Sequence, residues 1–239
     1  MLPPQQSRGD GLRRLSSRGL RSGDTLAVER WQAHQLRERK SSGTTRVEVR
    51  GIPFEVFRGV YNTGGDTELM LASVAVTSRQ TFLEVGCGSG AISIHLALTA
   101  RSGMGIDVNP VAVSNSRHNA SVLGVRNVEF RQGDVFGDIT DQFDVVLFNP
   151  PFTSHPVRDC VDRMFWDPSD QAKQTFFRGV RRRLCSSGRI YFGWADLASL
   201  DPKLPLRLAD ESGFKLANTC WCSARSGLYR RKVLEFHEK

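Results

Sequence analysis

The sequence predicts an α/β fold, a doubly wound and mostly parallel sheet with helices on both faces, on three observations. Short apolar or β-branched runs recur along the chain: TFLEV (81–85), MGIDV (104–108), NVEF (127–130), FDVVLF (143–148), RIYFGW (189–194) and KVLEF (232–236). Most are separated by segments of helical length and period. Glycine, acidic or proline-bearing corners stand at the ends of successive runs, which is where open α/β sheets hold ligands.

The elements follow in order. MLPPQQSRGDGLRRLSSRGLRSG has no periodicity and predicts a low-order tail. Asp24-Thr25 then offers an N-cap for a helix through about Arg39. Its apolar set (Leu26, Ala27, Trp31, Ala33, Leu36) is thin, so the helix is either a lid over the domain or marginal. In RVEVRGIPFEVFRGVY, Val47, Val49, Ile52, Phe54 and Val56 alternate about Arg50-Gly51, which predicts an antiparallel hairpin. Gly64-Gly65 break the chain, and Asp66 or Thr67 caps a helix carrying Leu69, Met70, Leu71 and Val74. The six runs and FKLANTCWC (214–222) make a seven-stranded sheet, whose last strand (229–236) pairs antiparallel at the end of the sheet. We divide the chain into a basic extension with a short helix, 1–45, and the α/β domain, 46–239.

Composition bounds the function. With 239 residues, 39% hydrophobic, the chain can bury a real core. No apolar run approaches the roughly 18 to 20 residues that cross a bilayer, and the N-terminus does not resemble a signal peptide. Five scattered cysteines, Cys87, Cys160, Cys185, Cys220 and Cys222, fit a reducing, cytoplasmic setting. Cys220 and Cys222 share a strand face, but no second Cys/His pair completes a tetrahedral site, so no metal is expected. Formal charge is +8, and residues 1–45 hold nine Arg/Lys against four acids. Such an arm holds RNA or DNA phosphates, serves as an organelle presequence, or is a solvated extension.

The corners carry the chemistry. In FLEVGCGSGAISIHLAL, Gly86, Gly88 and Gly90 sit at a strand-to-helix turn, where glycines let the backbone pass close under a ligand. The spacing is GxGxG, unlike the GxGxxG of dinucleotide folds. Asp107 ends the next strand, seventeen residues past Gly90, placed to accept from both hydroxyls of a ribose. Asp134, in QGDVF, leaves the strand after that and suits the amino group of an adenine. Their blander uses are a helix N-cap and a turn. The run FDVVLF stops on Asn149-Pro150-Pro151-Phe152.

Taken in that order and spacing, VGCGSG, IDVNP, GDVF and NPPF resemble the four signature motifs of class I S-adenosylmethionine-dependent methyltransferases, over residues from about 60 to the C-terminus. That family is Rossmann-like. NPPF resembles the (N/D)PP(Y/F/W) corner of its nitrogen-directed members: HemK/PrmC-type glutamine methyltransferases, adenine and cytosine amino methyltransferases, and ribosomal RNA guanine methyltransferases. The resemblance implies S-adenosylmethionine as cofactor. Glu84, Gly86, Cys87, Gly88 and Gly90 would line its methionine and ribose side, Asp107 and Val108 the ribose, and Asp134 and Val135 the adenine. Asn149, Pro150 and Phe152 would face the acceptor, with Asn149 also touching the cofactor. VYNTGGDTELML is similar to a Y-x-P-x-x-D-T-x-L-L segment of eukaryotic and archaeal HemK relatives, which implies that Asp66 and Thr67 approach the cofactor; SARSGLYRRKVLEF also looks like their last strand pair. Two departures stand out: Phe152 replaces the usual Tyr of glutamine methyltransferases, and their Gly-Gly-x-x-Gly segment after the corner is absent, TSHPVRDCVDRMFWDPSDQAKQTFF standing there instead.

Two acceptors gripping both N–H bonds of an amide or aryl amine favour the geometry in which the nitrogen lone pair is free. The Asn149 side-chain oxygen and the Pro150 carbonyl suit this, since prolines leave no N–H in competition, and Phe152 stacks on a planar acceptor. An aliphatic ammonium needs a base first, for which Asp66, Glu68, His155 and Asp196 are available. Phe165 and Trp166 wall the pocket or pack the core. The acceptor is a protein glutamine or a nucleobase; alternatively it is a small molecule, including cyclisation of S-adenosylmethionine itself to azetidine-2-carboxylate. Either reading is compatible with a homodimer or an activating partner protein.

Overall fold

The computed structural model describes residues 22–197, 200–224 and 229–239; the tail expected over 1–21 lies outside them. Helix α1 spans Ser22–Ser41. Strands β1 (Thr45–Val49) and β2 (Ile52–Val56) form the expected hairpin. Arg50 and Gly51 both take positive φ, 48° and 81°, the backbone of a two-residue turn that matches the twist of its strands.

Helix α2 (Gly65–Ser73) is capped differently from expectation. Gly64 is the N-cap, and Thr67 Oγ1 accepts its N–H at 3.4 Å. Asp66 does not cap, because its carboxylate is committed elsewhere, as described below.

The sheet then alternates with helices: β3 (Thr81–Val85), α3 (Ala91–Ala97), β4 (Ser102–Asp107), α4 (Pro110–Val122), β5 (Val128–Gln132), β6 (Phe143–Phe148), α5 (Gln171–Val180), β7 (Leu184–Ala195), α6 (Leu204–Glu211), β8 (Phe214–Ser223) and β9 (Arg230–Glu238). The strand order is β5-β4-β3-β6-β7-β9-β8. Among the described strands of this sheet, β9 alone runs against the common direction, so its pairings with β7 and β8 are the antiparallel ones. The last strand in sequence therefore lies inside the sheet, between β7 and β8, and β8 forms the edge. Its pairing with β8 is the expected one.

Alternation along β6 feeds two cores. Val146 and Phe148 join Phe176, Phe177, Phe192 and Trp194 on the α5/α6 face. Val145 and Leu147 join Met70, Ile92 and Val113 on the α2/α3/α4 face. A strand buried on both faces reads as the continuous apolar run FDVVLF.

The hairpin has a polar attachment. Buried Asn115 and Asn119 of α4 bond the backbone of β2: Asn115 Oδ1 accepts from Phe57 N–H at 2.9 Å, and both carboxamides donate to Glu55 O at 2.8 Å. The free edge of β2 is thus satisfied by side chains. Helix α1 is held by Arg39, almost fully buried, which donates to Val60 O at 2.9 Å and Phe57 O at 2.6 Å.

Candidate active site

Sheet order places the crevice. From β3 the chain winds outward through β4 and β5, then returns to pair β6 on the other side of β3. The carboxyl ends of β3 and β6 splay apart there, which opens a cleft. A cavity of about 180 Å³ occupies it.

Gly86, Gly88 and Gly90 take φ of 71°, 55° and 81°, a sequence of left-handed residues that only glycines adopt without strain. Nothing lies within 4 Å of the space where a Gly88 Cβ would stand, so the turn presents bare backbone to the cavity. Gly90 is different. It lies off the cavity wall, packed on Ser116 and Phe130, and serves as the αL residue that starts α3.

Asp107 accepts from Gly88 N–H and Asn109 N–H, both at 2.9 Å. Burial pushes its carboxyl up, while these two donors pull it down. Glu84 is buried and accepts the Ser93 N–H at 2.8 Å and the Ser93 hydroxyl. Burial, with a smaller contribution from Asp107, raises its pKa to about 8 against the opposing Ser93 bonds. Two acids thus meet at the mouth of the β3–α3 turn, one of them largely neutral.

Asp134 is largely exposed and lies 3.6 Å from the Arg163 guanidinium. Val135 beside it is buried at φ 55°, an unusual conformation for a β-branched residue, and the kind of strain that collects at ligand sites.

At the other end, β6 stops on the prolines. Asn149 Nδ2 donates to Asp66 Oδ2 at 2.7 Å, and Tyr61 Oη donates to the same carboxylate at 3.2 and 3.3 Å. A carboxylate only accepts, so this contact sets the amide orientation and turns Asn149 Oδ1 away from Asp66. No hydrogen bond among the described residues uses that oxygen. It lies against Gly193 of β7, where any side chain would collide with it. Phe152 meets Trp194 edge-on at 6.1 Å.

Asp66, Thr67, Glu84, Gly86, Cys87, Gly88, Asp107, Val108, Asp134, Val135, Asn149, Pro150 and Phe152 all face the one cavity. Of the four candidate bases only Asp66 does. Glu68 pairs with Arg50 at 3.3 Å, Asp196 with Lys232 at 2.7 Å, and His155 donates to the Pro156 carbonyl while packing at a tilt against the Trp166 ring, centroids 4.4 Å apart.

A roof is the part that sequence reasoning left as alternatives. Trp31 and Gln32 of α1, with Arg163, Met164, Phe165 and Trp166, line the cavity. Phe165 packs edge-on against Trp31 at 6.2 Å and Tyr61 at 5.5 Å. Thr153 Oγ1 donates to Gln32 Oε1 at 2.7 Å, and Lys40 pairs with Asp159 at 2.8 Å and Asp162 at 2.6 Å. Helix α1 and the segment after NPPF are therefore tied together as one cover. Tyr61, Tyr229 and Arg231 also reach the wall; they lie within the VYNTGGDTELML and SARSGLYRRKVLEF segments, but those motifs assign them no individual role.

A model described as a methyltransferase domain matches residues 77–238, two thirds of the chain. The chain belongs to the methyltransferase domain family. Its relatives include a protein N5-glutamine methyltransferase candidate of Methanocaldococcus jannaschii, 37% identical over 44% of this chain and 54% of that one. Another is the ribosomal RNA small subunit methyltransferase C of Chromohalobacter salexigens, 33% identical over 61% of this chain and 43% of that one. The chain spans about half the length, or less, of these curated relatives. A Thermus thermophilus 16S rRNA N2 G1207 methyltransferase, solved with AdoMet and guanosine, superposes with a TM-score of 0.59 at 17% identity, over 82% of this chain and 50% of that one. At that identity the likeness is one of fold. The methyltransferase domain match begins after α2, so α1, the hairpin and Asp66 precede it.

Proposed function

We propose that this enzyme transfers a methyl group from S-adenosylmethionine to a nitrogen held at the NPPF corner, with residues 46–239 as the catalytic unit and 1–45 as an extension whose helix roofs the site. The observation that carries the reading is the orientation of the Asn149 amide: Nδ2 donates to Asp66, which turns Oδ1 away as an acceptor next to Pro150.

The residues present fit the cofactor. The bare turn at Gly88 is a cradle that a Cβ would fill, and Asp107 keeps acceptor capacity at the ribose position beyond its two backbone donors. Buried Val135 offers an apolar face beside Asp134 for the adenine. When bound, S-adenosylmethionine supplies a methyl on a sulfonium, a good leaving group, so alignment is the protein's main task. Asn149 Oδ1 and the Pro150 carbonyl accept the two N–H bonds of the acceptor, and Phe152 flanks its plane. For an amine that starts charged, Asp66 is the wall residue able to take the proton.

The names of the relatives favour a protein glutamine or a nucleobase as acceptor. One structural observation favours a small molecule instead. The cover made by α1 and residues 153–167 stands over the acceptor end, fastened by Lys40 and Gln32, where a macromolecular segment would have to enter.

Incubation with methyl-labelled S-adenosylmethionine tests the reading, first alone, then with protein, RNA or small-molecule fractions of a cell extract. Label on nitrogen in any fraction, with S-adenosylhomocysteine formed, supports it. Release of methylthioadenosine without an acceptor would show cyclisation and overturn methyl transfer.

A further inference from the structure

The cavity wall contains a cation that the reading above leaves without a task. Arg231, at the start of β9, reaches across the carboxyl end of the sheet to the first residue of α2. Its guanidinium lies so close to Gly65 that a side chain there would meet Nη1 at 2.9 Å. It stacks over the Tyr229 ring, with 5.2 Å from Cζ to the ring centroid. A ring face under a guanidinium holds the cation in place electrostatically without using its N–H groups in the plane of the fork.

Neighbouring cations show what is unusual about it. Lys232, the next residue, is neutralised by Asp196 at 2.7 Å, Arg163 faces Asp134, and Lys40 holds two aspartates. Among the described residues no carboxylate lies within 4 Å of Arg231. Asp66 on the same wall accepts hydrogen bonds from Asn149 and Tyr61 and makes no ion pair with Arg231. A half-buried guanidinium facing a cavity without a counter-ion is matched by a planar anion that accepts two parallel N–H bonds.

We propose that Arg231 is the carboxylate-binding residue of this site. The ligand chemistry is a carboxylate in the cavity, from one of two sources: the amino-acid end of the cofactor or a carboxylate on a small acceptor. The assignment rests on the methyl-transfer reading for the identity of the occupants. Gly65 is part of the same device, since any larger residue would displace the guanidinium.

Arg231→Gln and Arg231→Lys are compared with the unsubstituted chain by calorimetry, using S-adenosylhomocysteine, which carries the carboxylate, and methylthioadenosine, which lacks it. In parallel, label from methyl-labelled S-adenosylmethionine is followed into small molecules, split by retention on an anion exchanger. If the carboxylate is the cofactor's, Arg231→Gln weakens S-adenosylhomocysteine about tenfold or more and leaves methylthioadenosine unchanged, with Arg231→Lys in between. If it is the acceptor's, nucleoside affinity holds and labelling of the retained acids falls by a similar factor. Equal weakening of both nucleosides would mean lost packing rather than a lost carboxylate partner, and overturns the proposal. So does a variant that binds S-adenosylhomocysteine and labels acids as the unsubstituted chain does. Failure of the unsubstituted chain to bind S-adenosylhomocysteine would sink the methyl-transfer reading as well, which separates the two results.

Discussion

Asn149 illustrates how one residue acquires a role from its neighbours. An asparagine in isolation can present either end of its amide; the 2.7 Å bond from Nδ2 to Asp66 fixes which end faces which way. Asn149→Ala is expected to lower kcat by about 10² or more while S-adenosylhomocysteine affinity changes little, because the lost acceptor matters where charge develops. Gly193→Ala should act in the same direction by displacing Oδ1, with the cofactor side intact. Steady-state rates and calorimetry on the two variants check this; a substantial loss of nucleoside affinity in either would contradict it. Asp107→Ala is expected to do the reverse, weakening nucleoside binding about tenfold or more in the same calorimetric measurement. Glu84 yields a pH prediction. Its folded pKa of about 8 lies above the ordinary carboxyl value, so the stability it contributes is full below about pH 4.3 and is lost as pH rises toward 8. Thermal melts of Glu84→Gln against the unsubstituted chain should show the variant gaining relative stability between pH 5 and 8.

Among the elements, α1 shows how a helix with a thin apolar stripe is held by polar anchors. Arg39 satisfies backbone carbonyls of the hairpin exit, and burial lowers its pKa without a carboxylate to oppose it. Arg39→Met strands those carbonyls and is expected to cost about 2–4 kcal/mol in denaturant unfolding, with loss of the roof over the acceptor end. β6 shows the complementary case. Its residues feed two cores, so the strand is rigid up to Phe148, and the prolines then forbid further pairing. The acceptor groups at 149 and 150 therefore project from a fixed end.

The molecule as a whole is organised by its switch point, and one buried ion pair stiffens the far side of it. Lys173 of α5 is fully buried, 2.9 Å from buried Asp167 and 3.0 Å from Asp170. Asp167 also accepts two amides of α5, which fastens the end of the cover segment to the body. Removing the cation alone leaves a buried charge, so Lys173→Met is expected to destabilise by about 3–5 kcal/mol in chemical denaturation. The double variant with Asp167→Asn should recover part of that loss.

The sequence by itself determined the alternation of strands and helices, the hairpin turn at Arg50-Gly51, and the corners where Gly86, Gly88, Asp107 and Asn149 stand. These features are local: side-chain period, glycine's access to positive φ and proline's missing N–H act within a few residues. Tertiary structure alone decided that β9 slips inside β8, that Asp66 serves Asn149 across 83 residues rather than capping its helix, and that Gly90 packs behind the site. It also decided that α1 is a roof and that Arg231 reaches the cavity. In each case the groups involved find their partners only once the sheet has brought distant segments together, and no local pattern records a contact made that way.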